Sequence, residues 1–361
     1  GLIGTIQAMI EDEVLPTANT TPDIIVLQQM LAEMRTRGMD TVVMEVSSHA
    51  LALGRVAGIE FDTAVFTNLT QDHLDFHKTM ENYARAKAHL FELVSAPGAK
   101  EGKTAVLNAD DAASETMRAY TRCPIITYGV DHPADLTAQD VQLACDGMEL
   151  TLMHGGKRLF HLHTGITGLF NVHNVLAAVG ASLAEHVAAA DIAAALTAFT
   201  GVPGRFELVR EGQDFAVIVD YAHTPDGMEN VLRTARAVTK GRIIAVFGCG
   251  GDRDRTKRPI MGRIGAEMAD IAVLTSDNPR TEDPAAIVDE VERGVLPVIG
   301  DKPYEKIVDR RTAIFHAIGR AQAGDTVVIL GKGHETYQIL KDGTIHFDDR
   351  EQAREAIRSR A

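Results

Sequence analysis

Short apolar, β-branched runs alternate with stretches of helical periodicity along most of the chain. In the first 200 residues such runs lie at 41–46, 62–67 and 104–107, and a helical pattern covers 79–94. Runs of this kind are typical of buried parallel strands. The pattern therefore predicts an α/β domain with a mostly parallel sheet.

The stretch 139–164 has a different pattern, because its apolar and polar residues alternate around His154-Gly155-Gly156-Lys157. Alternation on both sides of a glycine turn predicts an antiparallel hairpin inserted into this domain. An alanine-rich stretch at 171–190 follows, and its composition predicts a helix.

The segment Thr200-Gly201-Val202-Pro203-Gly204 predicts a boundary between two domains, at 1–202 and 203–361. After the boundary the alternation begins again, with predicted strands at 216–219, 242–247, 271–275 and 326–330 and predicted helices at 227–238, 260–269, 285–294 and 312–323. A βαβ series of this length predicts a second, doubly wound Rossmann-like sheet.

Composition narrows the class of protein. The 361 residues carry a net charge of -14, which argues against non-specific binding to nucleic acid or anionic membranes. Three widely spaced cysteines argue against a disulfide framework or a zinc site and favour a reducing, cytoplasmic compartment. No apolar run approaches the roughly 20 residues needed to span a bilayer. We expect a cytoplasmic monomer.

The chain opens with Gly-Leu-Ile-Gly-Thr-Ile, which has the pattern of the middle of a strand, and it has no initiator methionine. Our interpretation is a fragment of a longer protein.

Candidate chemistry gathers where predicted strands of the second domain end. Asp277-Asn278-Pro279-Arg280 follows the strand at 271–275, and an Asn with an Arg can hold a carboxylate. Glycine-rich turns at 248–255 and 331–335 follow two further strands, and such turns let backbone N–H groups approach an anion. On one sheet edge, Arg253, Arg280 and Glu335 would bracket a zwitterion. Cys249 is expected to be a packed thiol rather than a nucleophile.

The first domain offers weaker signals. Glu45, in Met44-Glu45-Val46-Ser47-Ser48-His49, is expected at a buried strand end, where pairing or Mg²⁺ would offset its burial. The alternative is a helix cap. The stretch 67–77 crowds ligand-type side chains after a strand, although a polar loop gives the same pattern. By its spacing alone, Lys87 is a surface lysine. Asp220 either meets a ribose hydroxyl or caps the helix begun by Pro225.

Taken in order, these motifs resemble the Mur ligase family over essentially the whole chain. The markers are T-T-P-D at 20–23, M-E-V-S-S-H-A at 44–50, T-N-L-T-Q-D-H-L-D-F-H at 67–77, A-K-A-H-L-F at 86–91, F-N-V-H-N at 170–174, D-Y-A-H-T-P at 220–225, G-C-G-G-D-R at 248–253, D-N-P-R at 277–280 and G-K-G-H-E at 331–335.

The resemblance implies an ATPase-type central domain and an ATP- and Mg²⁺-dependent ligase of peptidoglycan precursor synthesis. The branch with D-N-P-R adds meso-2,6-diaminopimelate to UDP-N-acetylmuramoyl-L-alanyl-D-glutamate. The implied catalytic and metal-holding residues are Glu45, His73 and Lys87, the last as a carbamate. The implied contacts to the UDP-muramoyl peptide are Thr20, Thr21, Ser47 and Arg55. The implied ATP contacts are Asn171, Arg205, Asp220 and His223. The implied diaminopimelate contacts are Arg253, Asp277, Asn278, Arg280, Gly331 and Glu335.

One departure from the family pattern concerns the phosphate-binding loop G-T-x-G-K-T-T, which this sequence lacks together with the family's N-terminal UDP-binding domain. We therefore expect the chain as given to be weakly active or inactive. Three alternatives stay open: a lysine-adding ligase, which Arg280 disfavours, a folylpolyglutamate-synthetase-like ligase, and a non-catalytic binding protein without the loop.

Overall fold

The structure, a computed structural model, describes residues 1–15, 19–70 and 72–360. The chain divides into two compact units. One is formed by Gly1–Asp140, Leu150–Leu162 and Val172–Leu196, and the other by Val141–Glu149, His163–Asn171 and Thr197–Ala361. Within the described ranges, none of the helices has the length and apolarity to cross a membrane.

The first part of the chain forms small sheets and the helices that cover them. Its elements are β1 (Leu2–Ile3), β2 (Ala8–Ile10), β3 (Glu13–Leu15), α1 (Ile24–Thr36), β4 (Val43–Met44), α2 (Ser48–Ala52), β5 (Thr63–Phe66), α3 (Leu74–His77), α4 (Met80–Ser95), β6 (Thr104–Asn108), α5 (Ser114–Tyr120), β7 (Ile125–Gly129), β8 (Leu136–Ala144), β9 (Gly147–His154), β10 (Lys157–Thr164), α6 (Leu169–Ala184) and α7 (Ala189–Ala198).

Two sheets organise these elements. One has the order β3-β2-β1-β4, and the other has the order β10-β9-β8-β7-β6-β5 with parallel pairing from β5 to β8. Every residue of β6 is buried, as the apolar run at 104–107 predicts for a strand covered on both faces. The run at 41–46 was expected to be one strand, but only Val43–Met44 pairs, with β1.

The predicted hairpin is present and gains a third strand. β9 and β10 are joined by Gly155 and Gly156, whose φ angles of 55° and 76° suit a type I′ turn. β8 precedes them and pairs with β7, which attaches the hairpin to the parallel strands. The helix predicted at 171–190 is two helices, α6 and α7, separated at 185–188.

The later part of the chain forms the second, doubly wound sheet. Its elements are β11 (Glu207–Leu208), β12 (Ala216–Asp220), α8 (Pro225–Val238), β13 (Ile243–Phe247), α9 (Lys257–Met268), β14 (Ile271–Leu274), α10 (Pro284–Val295), β15 (Tyr304–Lys306), α11 (Arg310–Arg320), β16 (Thr326–Leu330), β17 (Tyr337–Leu340), β18 (Gly343–His346) and α12 (Asp349–Arg360). The predicted α/β fold class is confirmed.

The strand order of this sheet is β11-β12-β16-β13-β14-β15. All neighbours pair in parallel except β11, which is antiparallel to β12. β13 and β16 are buried along their whole length, which suits central strands. The sheet therefore places the turns after β12, β16, β13 and β14 along one carboxyl edge, where ligands of open α/β sheets bind.

Helices cover both faces of this sheet. One apolar core joins it to α8, α9 and α10, and a second core joins it to α11 and α12. Pro225 occupies the first turn of α8, as the sequence predicts, and the Thr224 side chain caps the helix. Asp283 and Asp309 cap α10 and α11 in the same way.

Candidate functional site

The turn at 277–280 is largely buried and tightly hydrogen-bonded. Asp277 and Asn278 are 7% and 3% exposed. The Asp277 carboxylate accepts the Asn278 N–H at 2.6 Å, and Gln338 Nε2 donates to the Asp277 carbonyl at 2.7 Å. Arg280 has φ +54°, a left-handed conformation that is uncommon for a residue other than glycine. The turn is therefore held in one conformation that directs Arg280.

The turn at 248–253 packs directly on the turn at 277–280. Gly251 N–H donates to the Asn278 carbonyl at 2.9 Å, and Arg280 Nη1 donates to the Gly251 carbonyl at 2.8 Å. A Cβ on Gly248 would lie 2.0 Å from the Thr275 carbonyl oxygen. That these glycines admit an anion stays a prediction, but the structure shows that a side chain on Gly248 would clash with the neighbouring backbone.

Cys249 in this turn is buried, and burial raises the pKa of its thiol to about 12. This confirms a packed thiol, because a nucleophile needs an accessible thiolate. Arg253 is exposed at the other end of the same turn, where its Nη1 donates to the Asp252 carbonyl at 3.1 Å.

The turn at 331–335 completes the group. Asn278 Nδ2 donates to Glu335 Oε2 at 2.8 Å. Gly331 has φ +117°, and a Cβ there would lie 2.3 Å from Asp277 Oδ2. The structure thus brings Asp277, Asn278, Arg280, Gly331 and Glu335 together at the ends of β14 and β16, as the sequence predicts.

Lys332 is part of the G-K-G-H-E marker but is not among the residues that the sequence predicts for the site. The side chain is fully buried, and its Nζ lies 3.1 Å from both Asn278 Oδ1 and Glu335 Oε2. Its position between two glycines was the signal available, because flanking glycines allow a turn to fold its central side chain inward.

Aromatic rings and cations lie beside this group, around Tyr221. The Arg205 guanidinium stacks 5.1 Å from the Tyr221 ring centroid, and the rings of His223 and His334 lie 4.7 and 4.9 Å from it. Burial, followed by the charge of Arg205, lowers the pKa of His334. His334 Nδ1 is buried and has no hydrogen-bond partner within the described ranges. The Arg205 guanidinium and the aromatic rings offer a stacking surface for a ligand.

Asp220 and Asn171 are committed to backbone contacts. The two carboxylate oxygens of Asp220 accept N–H groups of Phe206 and Ala222 at 2.6 and 2.7 Å. Burial raises the pKa of Asp220 despite these bonds. Thr224, rather than Asp220, caps α8. Asn171 Nδ2 donates to the Thr167 carbonyl at 2.8 Å. Asp220 therefore fastens the segment that carries Arg205.

In the first unit, the residues predicted to touch the UDP-muramoyl peptide form one hydrogen-bonded cluster. Thr21 Oγ1 donates to the Glu45 carbonyl at 2.9 Å and accepts the Ser47 N–H at 3.0 Å. Arg55 Nη1 donates to the Thr21 carbonyl at 3.2 Å. Thr20 Oγ1 lies 3.0 Å from Thr5 Oγ1. Ser47 also caps α2 through its side chain.

Glu45 differs from the expectation in its exposure. It was expected at a buried strand end, but it is exposed and accepts a hydrogen bond from Thr5. Because β4 ends at Met44, the side chain lies beyond the paired strand and faces solvent. It therefore needs no partner to offset burial, and its oxygens stay available to a hard cation.

Lys87 is half-buried rather than on the surface, where its spacing alone would place it. Its Nζ lies 5.3 Å from the Tyr83 ring centroid. Burial lowers the pKa of Lys87, although the charges of Asp111 and Asp72 oppose that shift. Glu45 and Lys87 line the same cavity, whose volume is about 960 Å³.

The His73 ring centroid lies 5.8 Å from that of Tyr83, and His73 adopts φ +54° ahead of α3. Gln71 of the same motif lies outside the described residues. Within residues 1–15, 19–70 and 72–360, no three His, Cys, Asp or Glu side chains form a preformed metal site. A Mg²⁺ ion commonly takes few protein ligands and completes its shell with water and phosphate, and Glu45 fits such a role.

The family models and the known proteins that this chain resembles all point to Mur ligases. Residues 1–182 match the family described as Mur ligase middle domain, and residues 204–333 match Mur ligase, glutamate ligase domain. The chain is 51% identical over 361 residues to the Bacillus cereus protein named UDP-N-acetylmuramoyl-L-alanyl-D-glutamate--2,6-diaminopimelate ligase, covering 100% of this chain and 72% of that protein. The Geobacillus thermodenitrificans protein of the same name is 52% identical over 363 residues, covering 100% and 73%.

Solved structures agree with these relatives. A structure bearing the same enzyme name has a TM-score of 0.71 at 36% identity and covers 99% of this chain and 72% of that one. A MurF ligase from Thermotoga maritima in complex with ADP has a TM-score of 0.61 at 18% identity, covering 88% and 66%, which indicates a shared fold alone.

Proposed function

The chain belongs to the Mur ligase family, and from that premise we propose that it adds meso-2,6-diaminopimelate to UDP-N-acetylmuramoyl-L-alanyl-D-glutamate. Mur ligases are ATP-dependent ligases, and this step belongs to peptidoglycan precursor synthesis. Relatives named for this reaction, about half identical to the whole chain, support the proposal. We also propose that domains at 1–202 and 203–361 divide the work, and that the enzyme acts in the cytoplasm, where nucleotide-linked precursors are made.

The main support for diaminopimelate as the amino acid is that three turns meet beside Arg280. Diaminopimelate differs from lysine by a second carboxylate, so a site for it needs an additional cation. Arg280 lies where the turns at 248–253 and 277–280 meet. Glu335, on the third turn, is hydrogen-bonded to Asn278. In our proposal Arg280 and Arg253 bind carboxylates, and Glu335 and Asp277 face an ammonium group.

The chemistry has two steps. The side-chain carboxylate of the D-glutamate attacks the γ-phosphorus of ATP, forming an acyl phosphate and releasing ADP. The amine of diaminopimelate then attacks the acyl carbon, an amide bond forms, and phosphate leaves as the amine loses a proton. Phosphoryl transfer of this kind depends chiefly on positioning and on neutralising the charge of the phosphates.

In the first unit, Glu45, His73 and Lys87 would hold Mg²⁺, which supplies charge neutralisation at the phosphates when bound. The lowered pKa of Lys87 supports the proposed carbamate, because only a neutral amine reacts with carbon dioxide. Thr20, Thr21, Ser47 and Arg55 would orient the UDP-muramoyl peptide. Arg205, His223 and Asn171 would contact ATP, with Asp220 fixing the backbone beside Arg205.

The test is the amino-acid dependence of ADP and phosphate release. The product of the complete gene is incubated with ATP, Mg²⁺ and UDP-N-acetylmuramoyl-L-alanyl-D-glutamate, and with either meso-diaminopimelate or L-lysine. We expect rapid release with diaminopimelate and a kcat/KM lower by about a hundredfold or more with lysine, because lysine has no second carboxylate for Arg280 and Arg253 to bind. Equal rates would overturn the assignment. No release with either amine would favour a binding protein.

A further inference from the structure

Lys332 is a buried cation at the centre of the amino-acid site. It is 0% exposed and lies between Gly331 and Gly333, whose positive φ angles of 117° and 53° turn the chain sharply on both sides. Burying an ammonium group costs several kcal/mol unless its charge and protons are satisfied. The partners of Lys332 therefore show what its charge does.

Those partners are Glu335, which the proposed function places against the ammonium group, and Asn278, a diaminopimelate contact that the family resemblance implies. Lys332 Nζ lies 3.1 Å from Asn278 Oδ1 and 3.1 Å from Glu335 Oε2. Asn278 Nδ2 donates to the same Glu335 oxygen at 2.8 Å. The three groups form a closed triangle, in which Lys332 fixes which end of the Asn278 amide faces Glu335.

Backbone contacts hold the triangle in place. The Ile339 N–H donates to Asn278 Oδ1 at 3.0 Å, and Glu335 N–H donates to the Lys332 carbonyl at 2.9 Å. The Tyr337 ring centroid lies 5.5 Å from Lys332 Nζ. The ammonium is thus enclosed by acceptors and an aromatic face, and Glu335, 14% exposed, is the member of the pair that reaches the surface.

We propose that Lys332 is a positioning residue for diaminopimelate: it orients the Glu335 carboxylate and the Asn278 amide and does not touch the substrate itself. The inference rests on the proposed function, because it concerns how Glu335 is presented to the ammonium group of the amino acid. An unconstrained glutamate would lose rotational freedom on binding, and Lys332 removes that cost in advance.

The test is steady-state kinetics of Lys332→Met, which keeps a buried linear side chain but removes the charge and all three donors. We expect the KM for meso-diaminopimelate to rise on the order of 10- to 100-fold, the effect of losing a charge-assisted hydrogen bond. The KM values for ATP and the UDP-muramoyl peptide should stay within about twofold, since the triangle lies at the amino-acid turns. The control, Lys240→Met, removes an exposed lysine before β13, at the opposite end of the sheet.

Repeating the measurement in a Glu335→Gln variant separates an effect of Lys332 on the orientation of Glu335 from an effect on folding. If Lys332 acts through Glu335, Lys332→Met should add less than about threefold to the KM once Glu335→Gln is present, because coupled residues are not additive. Lys332→Gln, which retains a donor, should fall between wild type and Lys332→Met. If urea denaturation shows that Lys332→Met is not folded, Lys332→Gln replaces it, and its effect is compared in the wild-type and Glu335→Gln proteins.

An unchanged KM for diaminopimelate in the folded variants would overturn the inference, as would an equal effect with and without Glu335→Gln. Failure of the proposed function looks different, because the wild-type enzyme would then release no phosphate with diaminopimelate or would use L-lysine equally well.

Discussion

Arg280 combines an unfavourable backbone conformation with a fixed guanidinium group. Its φ of +54° costs a non-glycine residue on the order of 1 kcal/mol, and Nη1 donates to the carbonyls of Gly251 and Asn278. Strain retained beside a candidate ligand site suggests that the side chain is needed there for function.

Arg280→Gly separates the effect of the backbone conformation on stability from the effect of the guanidinium group on substrate binding. Glycine adopts positive φ without strain, which offsets the lost hydrogen bonds, so the free energy of unfolding should change by no more than about 1 kcal/mol. The KM for meso-diaminopimelate should rise by about a hundredfold, because a carboxylate loses its cation. Urea denaturation and initial rates measure the two effects. Arg263→Ala, an exposed position in α9, is the control, and an unchanged KM for Arg280→Gly would contradict the assignment.

Asp110 is a second residue whose role is visible only in the structure. Burial alone would raise the pKa of this carboxyl, but hydrogen bonds from the Val130 N–H, His132 and His173 lower it to about 2. A carboxyl with a lowered pKa in the folded state stabilises the fold above its ordinary pKa. That contribution is lost as the pH falls towards 2.

Asp110→Asn should therefore lower the free energy of unfolding by roughly 1–3 kcal/mol near pH 6, because several donors lose a charged acceptor. The difference from wild type should shrink as the pH falls below about 4, where the native carboxyl begins to lose its advantage. Urea denaturation between pH 6 and pH 3 measures this, with the exposed Asp131→Asn as control. A difference independent of pH would show that the contribution is not electrostatic.

At the scale of elements, three fully buried cations fasten the turns of the second sheet. Arg258 Nη2 donates to the Gly250 carbonyl, and Lys332 holds Asn278 and Glu335. Arg310 Nη1 and Nη2 donate to the carbonyls of Ser276 and Leu330, at the ends of β14 and β16. The strands place the turns on one edge, and the cations set their relative geometry.

Arg310 depends in turn on Asp349, the first residue of α12, which accepts from its Nε and Nη2 at 2.8 and 2.6 Å. Both side chains are 0% exposed. Arg310→Met leaves a carboxylate buried without its cation, so the free energy of unfolding should fall by about 3–5 kcal/mol. The double variant Arg310→Met/Asp349→Leu should recover part of that loss, because no unpaired charge remains.

The neighbouring residue supplies a matched control. Arg311 pairs with Glu355 at the surface, and exposed pairs contribute little, so Arg311→Met should cost less than about 1 kcal/mol. Urea denaturation of all four proteins measures the set. Equal losses for Arg310→Met and Arg311→Met would contradict the importance of the buried pair.

The sequence predicted the second sheet well because each apolar run ends in a glycine- or proline-marked turn. The runs at 271–275 and 326–330 became β14 and β16, and the gathering of Asp277, Asn278 and Glu335 followed from parallel pairing. The burial of Lys332 and the backbone bonds of Asp220 depend on contacts between distant segments, which local pattern does not encode. The exposure of Glu45 was missed because β4 is shorter than its apolar run.

At the scale of the whole molecule, the two compact units are proposed to bind different substrates. The residues proposed for the UDP-muramoyl peptide and Mg²⁺ lie in the first unit, and those proposed for the amino acid lie in the second. Relatives named for the diaminopimelate-adding reaction match 100% of the chain, so both sets of residues lie within the part of the sequence that these relatives share.

A one-pot competition between the two amino acids tests most directly whether this enzyme adds diaminopimelate. The product of the complete gene receives ATP, Mg²⁺ and UDP-N-acetylmuramoyl-L-alanyl-D-glutamate with equal concentrations of meso-diaminopimelate and L-lysine, and mass spectrometry separates the two UDP-linked products. We expect the diaminopimelate product in about a hundredfold excess or more, because Arg280 and Arg253 bind the second carboxylate that lysine lacks. A predominance of the lysine product, or equal amounts of both, would contradict it.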